Sequence, residues 1–201
     1  MQSQTRSATP IKSSTSELYN RAQRHFETQE YHLAIKYGLE LLKIEPQNVL
    51  AHNTVGMSWG ALGKSSAAIA AFNRAIAIDD QFTNAYYNRG YVYQQLGQHN
   101  QALNNFERTL ELSNGQHVSA LINRASIYAT EHNYQPAITD LNRVVELNPK
   151  SATAYYNRAL INLTMGNKIA YLNDLTTAEQ LYRQQGDEGG LAQIAKLKQL
   201  Y

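Results

Sequence analysis

The chain contains no cysteine, which removes disulfides, thiolate zinc or iron-sulfur sites and a cysteine nucleophile, and leaves the redox compartment undetermined. A surplus of one charge is missing too. Eighteen Lys and Arg against sixteen Asp and Glu leave a formal charge of +2, too little for a phosphate-binding surface without local clustering. Nucleic acid is therefore not an expected partner. No apolar run approaches the roughly 18 to 20 residues of a membrane helix. Residues 1–15 hold no hydrophobic block followed by a cleavage site, so a cytoplasmic location without a membrane span is expected. Met1 to Thr15, rich in Ser, Thr and Gln, weakly resembles an organelle transit peptide; a disordered tail over residues 1–14 is the simpler expectation. What is present is apolar: 43% hydrophobic against 17% charged residues, in a length that suits one domain or a short array.

Self-similarity organises the rest. Asn88-Arg89-Gly90 returns as Asn123-Arg124-Ala125 and Asn157-Arg158-Ala159, at offsets of 35 and 34 residues. The same ruler aligns Trp59, Tyr93 and Tyr128; Gly63, Gly97 and Gly166; Ala34, Ala68, Ala102 and Ala137; and Phe72 and Phe106 with Leu141 and Leu175. One inserted residue near Asn114 to His117 accounts for every offset of 35. Five units follow, 15–48, 49–82, 83–117, 118–151 and 152–185.

At these positions the chain resembles the tetratricopeptide repeat family, whose 34-residue pattern runs aromatic, Leu-Gly, Tyr, then Ala, Phe and Pro. The third unit carries Tyr86, Gly90, Tyr93, Gly97, Ala102 and Phe106, and Pro46 and Pro149 close the first and fourth units. There are departures. Arg replaces the usual Leu at the seventh position in four units (Arg21, Arg89, Arg124, Arg158), Asp80 and Asn114 replace the terminal Pro, and Tyr171 replaces a small residue in the fifth unit. Only Tyr171 puts local packing in question. The resemblance implies an all-α, right-handed superhelical solenoid of helix-turn-helix units.

Helical spacing of apolar residues implies the same units without the family name. Each unit has two such stretches, parted by Gly63, Gly97 or Gly166, or by Gln29-Glu30 and His132-Asn133. Small residues stand where the two helices must cross: Ala22, Gly56, Gly90, Ala125 and Ala159 on the first helix, and the Ala column on the second. A single pair cannot bury both its faces, so units must stack, and the ends need a polar cover. Residues 186–201 supply one. After a glycine-rich break, Leu191, Ile194, Leu197 and Leu200 recur every third residue, an amphipathic capping helix.

In this family the first helices line a concave groove, and the resemblance implies that the second, fifth, sixth, ninth, twelfth and thirteenth positions face it. The sixth column reads Asn20, Thr54, Asn88, Asn123 and Asn157; the fifth reads Tyr19, Asn53, Tyr87, Ile122 and Tyr156; Tyr91 stands in the ninth. A carboxamide offers one acceptor and two donors, so an Asn row can pair with an extended peptide backbone whatever its side chains. A comparable row occurs in the repeats of O-GlcNAc transferase. The other reading is that each Asn satisfies its neighbours, and the sequence leaves both open. Tyr rings add contact area at low entropic cost. Tyr86 and Tyr155 are expected to pack between units, and Tyr87, Tyr91 and Tyr156 to face a ligand. The candidate groove residues are thus Tyr19, Asn20, Asn53, Tyr87, Asn88, Tyr91, Asn123, Tyr156 and Asn157. The Lys and Arg clamp that some members use on acidic tails is missing from the second, fifth and sixth columns.

Arg at the seventh position points toward the second helix. Asp140 and Asp174 lie sixteen residues beyond Arg124 and Arg158, which predicts an ion pair within each of the last two units, the alternative being that the arginines contact a ligand phosphate. Catalytic and cofactor chemistry finds no support. Six histidines form no HExxH motif and no i,i+4 pair, and Gly63-Lys64-Ser65 matches only the tail of a P-loop. The expectation is a non-enzymatic scaffold without cofactor or metal, which holds an extended segment of a protein partner. The alternative is an assembly factor that self-associates into a homo-oligomer through its end helix or side faces.

Overall fold

A computed structural model describes residues 14–200, with Leu200 described by its backbone alone. The expected tail, apart from Ser14, and Leu200's place on the apolar face of the end helix lie outside the described side chains. Among the described residues there are eleven helices and no strand. They group into two compact bodies, one ending at Ala85 and the other beginning at Tyr86.

The first body holds α1 (Thr15–Glu27), α2 (Tyr31–Ile44), α3 (Val49–Ala61) and α4 (Ser65–Ile78). Side-chain oxygens start both first helices: Ser14 Oγ accepts from Glu17 N–H at 3.2 Å, and Asn48 Oδ1 from Ala51 N–H at 2.9 Å. Each helix packs on the next, and α1 also touches α3. Gly56 shows why the crossing column is small, since a Cβ there would stand 2.6 Å from Phe72 Cε1. Leu18, Leu41 and Ala51 form the core between α1, α2 and α3.

Most of α5 (Thr83–Gln95) belongs to the second body, with α6 (His99–Leu112), α7 (Val118–Thr130), α8 (Tyr134–Leu147), α9 (Ala152–Thr164), α10 (Lys168–Gln185) and α11 (Glu188–Leu200). Five residues separate α6 from α7, against four between α8 and α9, which places the inserted residue in the 113–117 turn. The core runs through Phe106, Ile127, Leu141 and Val144, then through Tyr171, Leu175, Tyr182 and Ile194. Tyr171 fits where the other units hold a fully buried Ala: it is 6% exposed, in a cluster with the small Ala152, Ala159 and Ala178.

Turns inside the units need left-handed backbone. Gly63, Gly97 and Gly166 supply it at φ near +70°, whereas Gln29 and His132 adopt +61° and +59° without being glycine. The polar pairs at those two points thus perform the same turn at some strain.

The helix α11 stands on α10 as a first helix would. Counted from Glu188, its third, seventh and tenth residues are Gly190, Ile194 and Leu197, matching Ala154, Arg158 and Ile161 of α9. Gly190 lies against the Tyr182 ring, Ile194 is 1% exposed, and Lys198 Nζ donates to Glu179 at 2.6 Å.

Candidate peptide-binding face

Two fasteners set the first helices of the second body. One joins each first helix to the second helix of its own unit. Arg124 grips Asp140 with two hydrogen bonds, Nε at 2.8 Å and Nη2 at 2.7 Å, and Arg158 grips Asp174 at 2.9 and 2.6 Å. Both predicted ion pairs are therefore present. The carboxylates are almost fully buried, and their hydrogen bonds, more than their charge at a distance, hold both guanidinium pKa values above the ordinary one. In the third unit Arg89 Nε donates to Asn105 Oδ1 at 2.8 Å. Burial there pushes the guanidinium pKa down.

The other fastener joins neighbouring units. Arg158 Nη1 reaches Asn142 on α8 at 2.6 Å, and Asn123 Nδ2 donates to Tyr87 Oη, from α7 to α5, at 3.3 Å. The Tyr87 ring lies 4.6 Å from His117, centroid to centroid, and 6.0 Å from Phe106. His117 starts α7: its Nδ1 accepts from Ala120 N–H at 3.1 Å, which requires the unprotonated ring nitrogen. Burial pushes this imidazole below its ordinary pKa.

The candidate residues have unequal surroundings. Tyr91 is exposed, at 47%. Tyr87 and Tyr156 were expected to be open but are half-buried. Tyr87 leans on His117 and Phe106, and Tyr156 meets Tyr182 edge-on at 6.5 Å with its phenol pKa raised by burial. Asn88, Asn123 and Asn157 are half-buried. Asn157 borders a pocket of about 100 Å³ between α7, α8 and α9, with Ala125, Ser126, Ala129, Leu141, Leu160 and Ile161 as the other walls. In the first body Asn20 is exposed, and Tyr19 is half-buried against the Leu18, Leu41 and Ala51 core. Asn53 is 7% exposed and Thr54 only 1%, so neither offers its side chain to solvent as the column reading had it. The Thr54 hydroxyl lies 2.8 Å from Gln23 Oε1 and 3.0 Å from the Leu50 carbonyl.

Sequence reasoning missed the pocket, whose trace is the small pair Ser126 and Ala129 at the ninth and twelfth positions. It also missed the capping role of His117, whose partners depend on the three-dimensional turn. Among the described residues no group of three His, Asp or Glu converges as a metal site, and no helix is long and apolar enough to cross a membrane.

Helix pairs on this period, crossed at small residues and linked by their first helices, define a helical-repeat protein. A family model described as tetratricopeptide repeat matches residues 82–150, and a second, TPR repeat, matches residues 61–97. Residues 61–150 of the chain are thus matched as tetratricopeptide repeats. It is 27% identical over 135 residues to human tetratricopeptide repeat protein 6, a match covering 66% of this chain and 26% of that protein. It is 38% identical over 85 residues to the tetratricopeptide repeat and J domain-containing co-chaperone DNJ1 of Cryptococcus neoformans, covering 42% of this chain and 16% of that one. The chain thus spans about a quarter or less of the length of these relatives. Among solved structures, MamA residues 41 to the end from Desulfovibrio magneticus RS-1 superposes with a TM-score of 0.76 at 19% identity, covering 86% of this chain and 98% of that one. YrrB, described as a TPR protein with an unusual peptide-binding site, gives 0.70 at 21% identity, covering 91% and 92%. At such identities the likeness establishes the fold.

Proposed function

We propose that the chain is a non-catalytic protein-interaction scaffold that holds an extended segment of a partner along α5, α7 and α9. The observation that carries the reading is the hollow beside Asn157, an apolar recess edged by a carboxamide on first helices of a repeat fold built for protein contacts. The exposed Tyr91 ring and the half-buried Asn88 and Asn123 add neutral polar and aromatic surface along the same helices. The peptide-binding site ascribed to YrrB supports the same use of the fold. Each backbone bond contributes about 0.5–1.5 kcal/mol net, so affinity comes from several carboxamides acting with apolar anchors. Self-association through the end helix has less in its favour, because α11 commits Ile194 and Lys198 to α10.

The test is selection of a displayed random-peptide library on the full chain, followed by binding measurements on Tyr91→Ala and on the combined Asn88→Ala, Asn123→Ala, Asn157→Ala variant. Both variants should weaken binding while melting stays cooperative. Full-strength binding to both, with normal melting, would remove α5, α7 and α9 as the binding surface.

A further inference from the structure

We propose that the pocket between α7 and α9 is a subsite for one uncharged aliphatic side chain of the bound segment, with Asn157 holding the adjoining backbone. The inference rests on the scaffold reading and narrows it to a residue class.

Its origin is local and legible in the columns. At the ninth and twelfth positions the first helices carry Gln23 and Phe26, Met57 and Gly60, Tyr91 and Gln94, Ser126 and Ala129, and Leu160 and Leu163. The fourth unit alone has a small side chain at both. With Ala125, they cut back the surface of α7, while Leu160 and Ile161 of α9 and Leu141 of α8 wall the space left.

Size and chemistry then select the occupant. A closed apolar cavity of about 150 Å³ admits benzene. At about 100 Å³ and open on one side, this pocket is filled by a branched aliphatic side chain, whereas an aromatic ring would stand partly outside it. Its lining is carbon apart from the Ser126 hydroxyl and the Asn157 carboxamide, with no acid or base. The nearby charges are already matched, Arg124 by Asp140 and Arg158 by Asp174, each through two short hydrogen bonds. A charged ligand side chain would lose its water there and gain no counter-ion. An aliphatic one loses nothing polar, and the carboxamide at the rim can meet the C=O and N–H of the segment that carries it. Successive side chains of an extended segment point to opposite sides. Selectivity should therefore fall on one position and leave both its neighbours tolerant.

The experiment uses the displayed random-peptide library on the full chain, with the selected peptides synthesised for titration. We expect Val, Leu, Ile or Met enriched at a single position. Changing that residue to Ala should weaken binding about tenfold or more, and changing it to Asp or Lys should abolish it. Ser126→Leu, at an exposed position, should fill the pocket and weaken the same peptides to a similar degree with melting unchanged. Leu160→Ala should enlarge it and move the preference toward Phe, a gain that a misfolded protein would not show. Peptides that bind the wild type with a charged or no preferred residue at every position, or whose preference Leu160→Ala leaves unmoved, overturn the subsite while leaving the scaffold reading in place. Failure of the wild type to select any peptide overturns both.

Discussion

The third and fifth units build the same crossing with different chemistry. In the fifth, α9 and α10 are clasped by Arg158 and the buried Asp174, two charge-assisted bonds in a fork that matches the carboxylate. In the third, Arg89 meets the amide of Asn105 at the same sixteen-residue offset. The neighbouring link between α5 and α7 is again neutral, Asn123 to Tyr87, beside the imidazole that starts α7. Geometry is thus fixed by the repeat, while the strength of each crossing is set by a single residue on its second helix and the pH response by the imidazole that starts α7. The α9–α10 pair should be the stiffer, and α5–α7 the one that solution conditions can reach.

The largest expected effect comes from breaking the clasp. Asp174→Ala leaves the Arg158 guanidinium partly buried without its carboxylate, which should cost about 3–5 kcal/mol. Urea melting and hydrogen exchange should locate the loss in α9 and α10; an effect below about 1 kcal/mol would mean the pair behaves like a surface one. Adding a clasp to the third unit is the converse. Asn105→Asp gives Arg89 a charged acceptor but removes the Nδ2–H that donates to the Gln101 carbonyl at 2.7 Å, so the stronger charge-assisted bond should leave a net gain of about 1 kcal/mol at most. A loss in melting would show that the donor to Gln101 matters more to that crossing than the charge.

The smallest effect is in pH. His117 caps α7 only when Nδ1 is unprotonated, and burial lowers its pKa in the folded state. Below about 6.5, the ordinary value, the unfolded chain binds this proton more readily than the folded one. Stability from this residue is therefore present above that pH and lost as pH falls through 6.5 toward the folded pKa. His117→Asn keeps an acceptor for the cap and should flatten this part of the melting-versus-pH curve. An unchanged slope would place the pH response elsewhere.

Much of this arrangement was legible in the sequence, and the exceptions share a cause. The 34-residue ruler and the Arg to Asp offset report contacts inside one unit, where spacing alone brings residues together. Arg89 and Asn105 obey the same offset, but a search confined to carboxylates passes over the amide. The half-burial of Tyr87 and Tyr156 was not legible, because it depends on His117 and Tyr182, which lie about thirty and twenty-six residues further along in sequence. Asn53 and Thr54 share the groove columns with exposed residues such as Asn20 yet lie buried, since a column records direction on a helix and not what stands in front of it. The pocket is an absence of side-chain volume, visible only when the ninth and twelfth positions are compared across units.

The fork of Arg158 has a further consequence. One edge of this planar cation is bound to the helix that follows it and the remaining nitrogen to Asn142 on the helix that precedes it. A lysine ammonium has no such pair of fixed edges: its three donors radiate from one nitrogen and could not grip the carboxylate through two parallel bonds while holding the amide at a set angle. The guanidinium therefore works as a spacer of set angle, and the tilt from α8 to α10 is gauged by the flatness of a single side chain.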